Sequence, residues 1–293
     1  MSPTPCRPSF KRRKLGAKLR EMRKRSGLNL DDAALRLDKT RSALHRIETG
    51  EGKPDVHVVR SMMDLYEHYS PALLDEVRDA LKPPWYEKYG VKNRYHVDVE
   101  TEAATVWDFS TLIVPELLRT TQYTLALLNC RNHPAPQNEA TVQQVRQNRL
   151  TDSNRPLKLI AVIDELVLHR TVGGPETMHN QLRHLVEAAA LPTVALHVLP
   201  RSKQVHWAAA GALTLLTLPD SDGPELLHVD HLTGPLDIDD QGKVREAHNV
   251  LEHLRNRALS QRESITLIER MVVEQRYTDE GEECESQTAI SLC

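Results

Sequence analysis

The sequence predicts two domains of different fold class: an all-α domain of five helices over residues 15–82, then an α+β domain with a small β-sheet over 96–278. Three observations predict it. Before residue 82, apolar residues recur at helical spacing, in short segments separated by Gly, Pro and capping residues. At Lys82-Pro83-Pro84-Trp85 a helix has to stop, because proline lacks an amide donor and pushes its predecessor out of helical geometry. Beyond residue 95, runs rich in Val, Leu, Ile and Thr alternate with helical stretches.

Residues 1–14 are expected to form a disordered basic arm. In the first helix Leu15, Leu19 and Met22 share a stripe, and Ser26-Gly27 ends it. Asn29 is placed to cap the second helix, with Asp32 three residues on making a return contact in the manner of a capping box. That helix runs through Ala33, Ala34 and Leu37 into a turn at Asp38-Lys39. Thr40 caps a third helix from Arg41 to Glu48, and Thr49 to Pro54 is a loop carrying Lys53. Asp55 caps a fourth, with Val58, Val59, Met62, Met63 and Leu65 as its apolar positions. Ser70-Pro71 opens a fifth, with Pro at the first helical position.

Residues 83–95 read as a linker. Helices are then expected at 97–105, 120–130, 138–152, 175–190, 240–258 and 261–275, and strands at 157–163, 193–199, 212–218 and 226–232. Residues 279–293 read as an acidic disordered tail, with five Asp/Glu in the first seven positions.

The net charge of -3 conceals an asymmetry. Residues 1–82 hold 18 Lys/Arg and 12 Asp/Glu, so the remainder carries the negative balance. A basic module joined to an acidic one implies that the first alone meets a polyanion. No apolar run reaches the roughly 20 residues a bilayer span needs, and the N-terminus lacks the apolar core of a secretory signal, so the expected location is cytoplasmic. Cys6, Cys130, Cys284 and Cys293 form no C-x-x-C pair, which argues against a zinc site or a disulfide framework.

Two short helices joined by a tight turn can place the second in the major groove of DNA. They must pack closely, which Ala34 permits. The second must be anchored from behind, which Leu44 and Ile47 do against Leu37. Its outer face must bond bases or phosphates, and Thr40, Arg41, Ser42, His45 and Arg46 supply the groups, with Lys53 in the following loop.

Gly27-Leu28 through Arg41-Ser42-x-Leu44-x-Arg46-Ile47-Glu48-x-Gly50 resembles the XRE family, the phage-repressor-like helix-turn-helix DNA-binding domain of five helices. The resemblance implies an ion pair between Arg23 of the first helix and Glu48 at the end of the third. It covers about residues 15–80 and has two departures. Leu30 stands where the family commonly has a phosphate-holding Gln, and Asp38 where a turn Gly is usual. Asp tolerates the left-handed conformation better than most residues, so the turn is expected to survive.

A second resemblance covers about residues 85–275. Trp85-Tyr86-x-x-Tyr89-Gly90, Val114-Pro115-Glu116-Leu117-Leu118-Arg119-Thr120-x-x-Tyr123, Ala161-Val162-Ile163-Asp164-Glu165-x-x-Leu168, Val172-Gly173-Gly174-Pro175 and Val198-Leu199-Pro200 are similar to the large domain behind XRE domains in actinobacterial, antitoxin-like regulators of the WhiJ-related type. Glu116 replaces a Gly usual after the Pro. The resemblance implies a role in sensing a signal or a small partner protein encoded nearby. It supplies no active-site residues.

Other chemistry weighs less. In His228-x-Asp230-His231 a strand puts only the first two on one face, and His248 and His253 are five apart on a helix, so metal binding is not expected. Asp164-Glu165 fits a helix cap better than a catalytic pair. Gly173-Gly174-Pro175-Glu176 lacks the Lys-Ser/Thr of a phosphate loop, and no nucleophile elbow is present. No cofactor and no catalytic residue are expected. The reading is a transcriptional regulator on double-stranded DNA, a homodimer through its second domain. The alternatives are an antitoxin-like protein that neutralises a small partner and regulates its own operon, and an enzyme domain addressed to DNA.

Overall fold

The Ser9 side chain accepts the Arg12 amide, and helix α1 (Phe10–Arg25) starts there. Residues 10–14, expected to belong to a disordered arm over 1–14, are therefore helical. Phe10 is buried, its amide donates to Asp98, and the Arg13 guanidinium donates to the Tyr95 hydroxyl. One buried aromatic and two long-range bonds outweigh a basic composition that reads as solvated. The computed structural model describes residues 7–92, 94–202, 211–219, 226–231 and 234–274. The tail expected at 279–293 lies outside the described residues.

The chain divides into an N-terminal unit, Met1–Asp98, and a C-terminal unit, Val99–Cys293. After α1 come α2 (Leu30–Arg36), α3 (Arg41–Glu48), α4 (Val56–Leu65) and α5 (Pro71–Leu81). The caps are those the sequence implies: Asn29 accepts from Asp32, Thr40 from Ala43, Asp55 from Val58. The Asn29–Asp32 return contact differs in detail, since it runs to the Asn29 side-chain amide. Leu15, Leu19, Met22, Ala33, Ala34, Leu44, Ile47, Val59, Met62, Met63 and Val77 form one core. Each large side chain buried there contributes roughly 1.5–3 kcal/mol.

Residues 83–95 are not an extended linker. They hold a helical turn at Trp85–Tyr89 with Tyr86 buried, and the boundary between the units falls later, inside α6 (Tyr95–Glu102). Pro83 and Pro84 do end α5, but the aromatic residues that follow are worth burying, so the chain does not loosen there.

In the C-terminal unit the sheet has six strands among the described residues, in the order β3-β2-β1-β4-β5-β6. The strands are β1 (Thr105–Ser110), β2 (Lys158–Asp164), β3 (Val194–Leu199), β4 (Leu213–Thr217), β5 (Leu226–Val229) and β6 (Leu236–Ile238). β1, β2 and β3 run parallel; β4 is antiparallel to β1, β5 to β4, and β6 to β5. Strands β1 and β6 do not emerge from the sequence reading, although β1 is central. The helices are α7 (Thr121–Cys130), α8 (Pro136–Gln147), α9 (Glu165–His169), α10 (Pro175–Ala189) and α11 (Gln241–Arg257), and residues 261–274 are helical. Val244, Ala247, Leu251 and Leu254 of α11 pack on Trp107, Phe109, Leu215 and Leu227, which share one face of the sheet. By the two-residue period of a strand, Val106, Asp108 and Ser110 face the other way.

Among the described residues, no helix is long and apolar enough to cross a membrane.

Candidate functional site

Helix α3 is built as a two-sided element. Leu44, Ile47 and Glu48 are buried, whereas Thr40, Arg41, Ser42, His45 and Arg46 are exposed. Four of these outward groups lie in pairs one turn apart, Arg41 with His45 and Ser42 with Arg46, so they form a continuous face. The Thr40 hydroxyl accepts the Ala43 amide at 3.1 Å and fixes the end where this face begins. Lys53 is exposed in the loop after the helix.

The rear of α3 is held in three ways. Arg23 donates Nε to Glu48 Oε1 at 2.6 Å and Nη2 to Oε2 at 2.8 Å, while Nη1 reaches the Leu28 carbonyl at 2.8 Å. The two side chains are 9% and 3% exposed, so this is the buried fork-to-fork pair that the family resemblance implies. The bond to Glu48 holds the Arg23 pKa above its ordinary value, against the opposing effect of burial. Second, Ala33 and Ala34 let α2 lie close to α3. Third, a Cβ on Gly16 would stand 2.6 Å from the Ile47 carbonyl oxygen, and one on Gly50, at φ +80°, 2.8 Å from the Arg13 backbone. Helix α1 thus touches the end of α3 backbone to backbone, a demand the sequence reading assigned to Ala34 alone.

The two departures from the family pattern have local explanations. Asp38 adopts φ 50°, the left-handed turn expected of it. Leu30 packs against the core, which an apolar side chain does more cheaply than the usual Gln.

In the C-terminal unit, Asp164 accepts the Leu166 amide at 2.9 Å and caps α9, the role expected for it. A polar row that the sequence did not reveal crosses four strands. The register aligns Asp108 with Thr214, Thr214 with His228, and His228 with Asp237. Asp108 accepts from Ser110 at 2.7 Å and from Thr214 at 3.1 Å. His228 bonds Asp237 at 2.8 Å and faces Asp230 at 3.4 Å. Burial pushes Asp108 up to about 6, with the two hydroxyl bonds pulling the other way. For His228, burial alone would lower the pKa; the bonds to Asp230 and Asp237 outweigh it and raise the imidazole to about 9. Among the described residues no three His, Cys, Asp or Glu side chains are grouped to hold a metal ion.

Both shifts are upward, so both groups stabilise the fold most when protonated. The Asp108 contribution is present below its ordinary 3.8 and lost as pH rises through about 6; that of His228 is present below 6.5 and lost as pH rises through about 9. We expect the unfolding free energy of the C-terminal unit to fall in two steps over these windows, each of a few kcal/mol. Urea titrations from pH 4 to 10 on the wild type, Asp108→Asn and His228→Gln should lose one step in each variant. A profile as steep in Asp108→Asn as in the wild type between pH 4 and 6 would show that its carboxylate is hydrated.

Comparison with known families adds two matches. Residues 14–77 match a model described as a helix-turn-helix domain, and residues 94–270 match one described as a domain of unknown function, DUF5753. No curated protein and no solved structure matches the chain.

Proposed function

Because the chain belongs to the DUF5753 family and carries a helix-turn-helix domain ahead of that region, we propose that it is a sequence-specific, double-stranded DNA-binding transcriptional regulator. The observation that carries this reading is the face of Arg41, Ser42, His45 and Arg46 on a helix whose other side is anchored by Leu44, Ile47 and Glu48. Guanidinium groups there can bond O6 and N7 of guanine in the major groove, and Lys53 is placed for phosphate.

A lone helix-turn-helix reads few base pairs, so the protein acts as a homodimer on a two-fold site, with the C-terminal unit joining the protomers and receiving a signal. This is the arrangement of an XRE-type regulator of the actinobacterial, antitoxin-like kind, cytoplasmic, with a small protein encoded nearby as the signal. It includes no catalytic step and no cofactor. An antitoxin that neutralises such a partner would use the same DNA-binding face to regulate its own operon.

The test is a binding titration over single-base variants of a duplex selected by the intact chain, at two salt concentrations. Arg41→Ala should relax preference at one base pair per half-site by about 1–3 kcal/mol. Lys53→Ala should weaken all duplexes alike and lower the salt slope by about one. Uniform weakening by Arg41→Ala, together with altered base preference in Lys53→Ala, would reverse the assignment of the two faces.

A further inference from the structure

In the free protein the guanidinium at the start of α3 already has a carboxylate beside it. Asp31 Oδ1 of α2 lies 3.1 Å from Arg41 Nε, and both side chains are about 70% exposed, at 69% and 70%. We propose that Asp31 is a specificity-determining residue of the DNA-binding face: it positions Arg41 for guanine and disfavours the same arginine's use on phosphate. The inference rests on the DNA-binding reading above.

The argument is geometric first. The carboxylate approaches the guanidinium at Nε, so N–H groups of the two Nη atoms remain for a base. Those are the donors a guanine can accept on O6 and N7 together. Without a neighbour, a long exposed Arg samples many rotamers and loses that freedom on binding; a partner on one edge removes part of the loss beforehand.

The second part is electrostatic. Non-specific affinity for DNA comes almost wholly from cations meeting phosphates. A carboxylate that accompanies Arg41 cancels most of that attraction and repels the backbone whenever the guanidinium lacks its correct base. The surrounding charge supports this role. Arg46, five residues further along the same helix, has Glu51 at 3.7 Å, so neither of the two arginines on the face is offered to DNA as an unaccompanied cation. A different explanation, that Asp31 serves only the positive end of α2, predicts a change in helix stability and none in base preference.

The experiment uses the intact chain and the single-base duplex panel. Asp31→Asn should reduce discrimination at the base pair read by Arg41 by roughly twofold to fivefold, the range expected of one exposed ion pair. Binding to unrelated duplexes should tighten over the same panel. Asp31→Glu, which keeps a carboxylate, should restore part of the discrimination. In an Arg41→Ala background, Asp31→Asn should change nothing at that base pair. The control is Asp75→Asn, an equal charge change at a residue paired with Arg78 on α5. If Asp31→Asn tightens every duplex by the same factor as Asp75→Asn and leaves discrimination intact, Asp31 has no positioning role. Failure of the parent reading looks different: Arg41→Ala would itself leave base preference unchanged.

Discussion

Glu48→Ala is expected to destabilise the N-terminal unit by about 3–5 kcal/mol, the cost of leaving one member of a buried ion pair without its partner. Arg23 would keep only the Leu28 carbonyl of its present three bonds. The Tyr66 hydroxyl, which feels the charges of the pair, is a poor substitute for the carboxylate, a neutral phenol whose own ionisation burial holds off to about pH 12. For a unit of this size such a loss lowers the melting temperature by on the order of 20 °C. In the intact chain, followed by circular dichroism, the transition of the N-terminal unit should move while that of the C-terminal unit stays. The paired variant Arg23→Met with Glu48→Leu should recover most of the loss, because apolar residues of similar volume suit the same space. A shift below about 1 kcal/mol in the single variant would show that water reaches the pair. Its effect on DNA should exceed its effect on fold, since Glu48 ends the helix that carries Arg41 and Arg46.

The equivalent experiment in the C-terminal unit is Arg146→Met. Arg146 meets Glu100 through two bonds of 2.8 and 2.7 Å and Glu116 through a third of 2.5 Å. Arg146 and Glu100 are buried, at 9% and 4% exposure, whereas Glu116 reaches solvent. Although burial opposes its charge, the two carboxylates hold the Arg146 pKa above the ordinary value. The methionine would fill the volume but strand the Glu100 carboxylate, again at about 3–5 kcal/mol. Arg149 stands one turn away and donates to the Glu100 and Ala103 carbonyls at the end of α6, yet it offers no bond to the Glu100 carboxylate. In urea the transition of the C-terminal unit should therefore shift and that of the N-terminal unit should not. Equal shifts in both would mean that the units do not unfold independently.

The N-terminal unit was legible because its determinants are local. Asn29, Thr40 and Asp55 each act within three residues, and the stripe of Leu15, Leu19 and Met22 lies on one helix. The Arg23–Glu48 pair is not local, and a family pattern was needed to foresee it. Gly16 could have been read as a point of close approach, since a glycine inside an apolar helical stripe often has a packing reason. The start of α1 was hidden by the basic run after Phe10, though Ser9 is a cap the sequence displays.

The C-terminal unit hid more because a strand owes its place to partners far along the chain. Thr105–Ser110 carries an aspartate at its middle, which in isolation reads as a break. The Ser110 and Thr214 hydroxyls, both set by the fold, account for Asp108 in a central strand. β6 has three residues beside Pro235, too few for a periodicity, and with it went the Asp237 partner of His228. The flanking strands β2 and β3 were plain from their apolar runs.

The position of β1 also bears on how the chain comes to be folded at all. Thr105 is paired on one side with Lys158 and on the other with Thr217, so the middle strand is made early in synthesis and its second neighbour late. Helices α1 to α5 pack chiefly on one another, and low sequence separation favours rapid formation. During translation, then, the DNA-binding half can close while Trp107 and Phe109 still lack the face of β4 and α11 that will cover them. The hazard of aggregation falls on that interval, and the order of the strands places it wholly in the second half of the molecule.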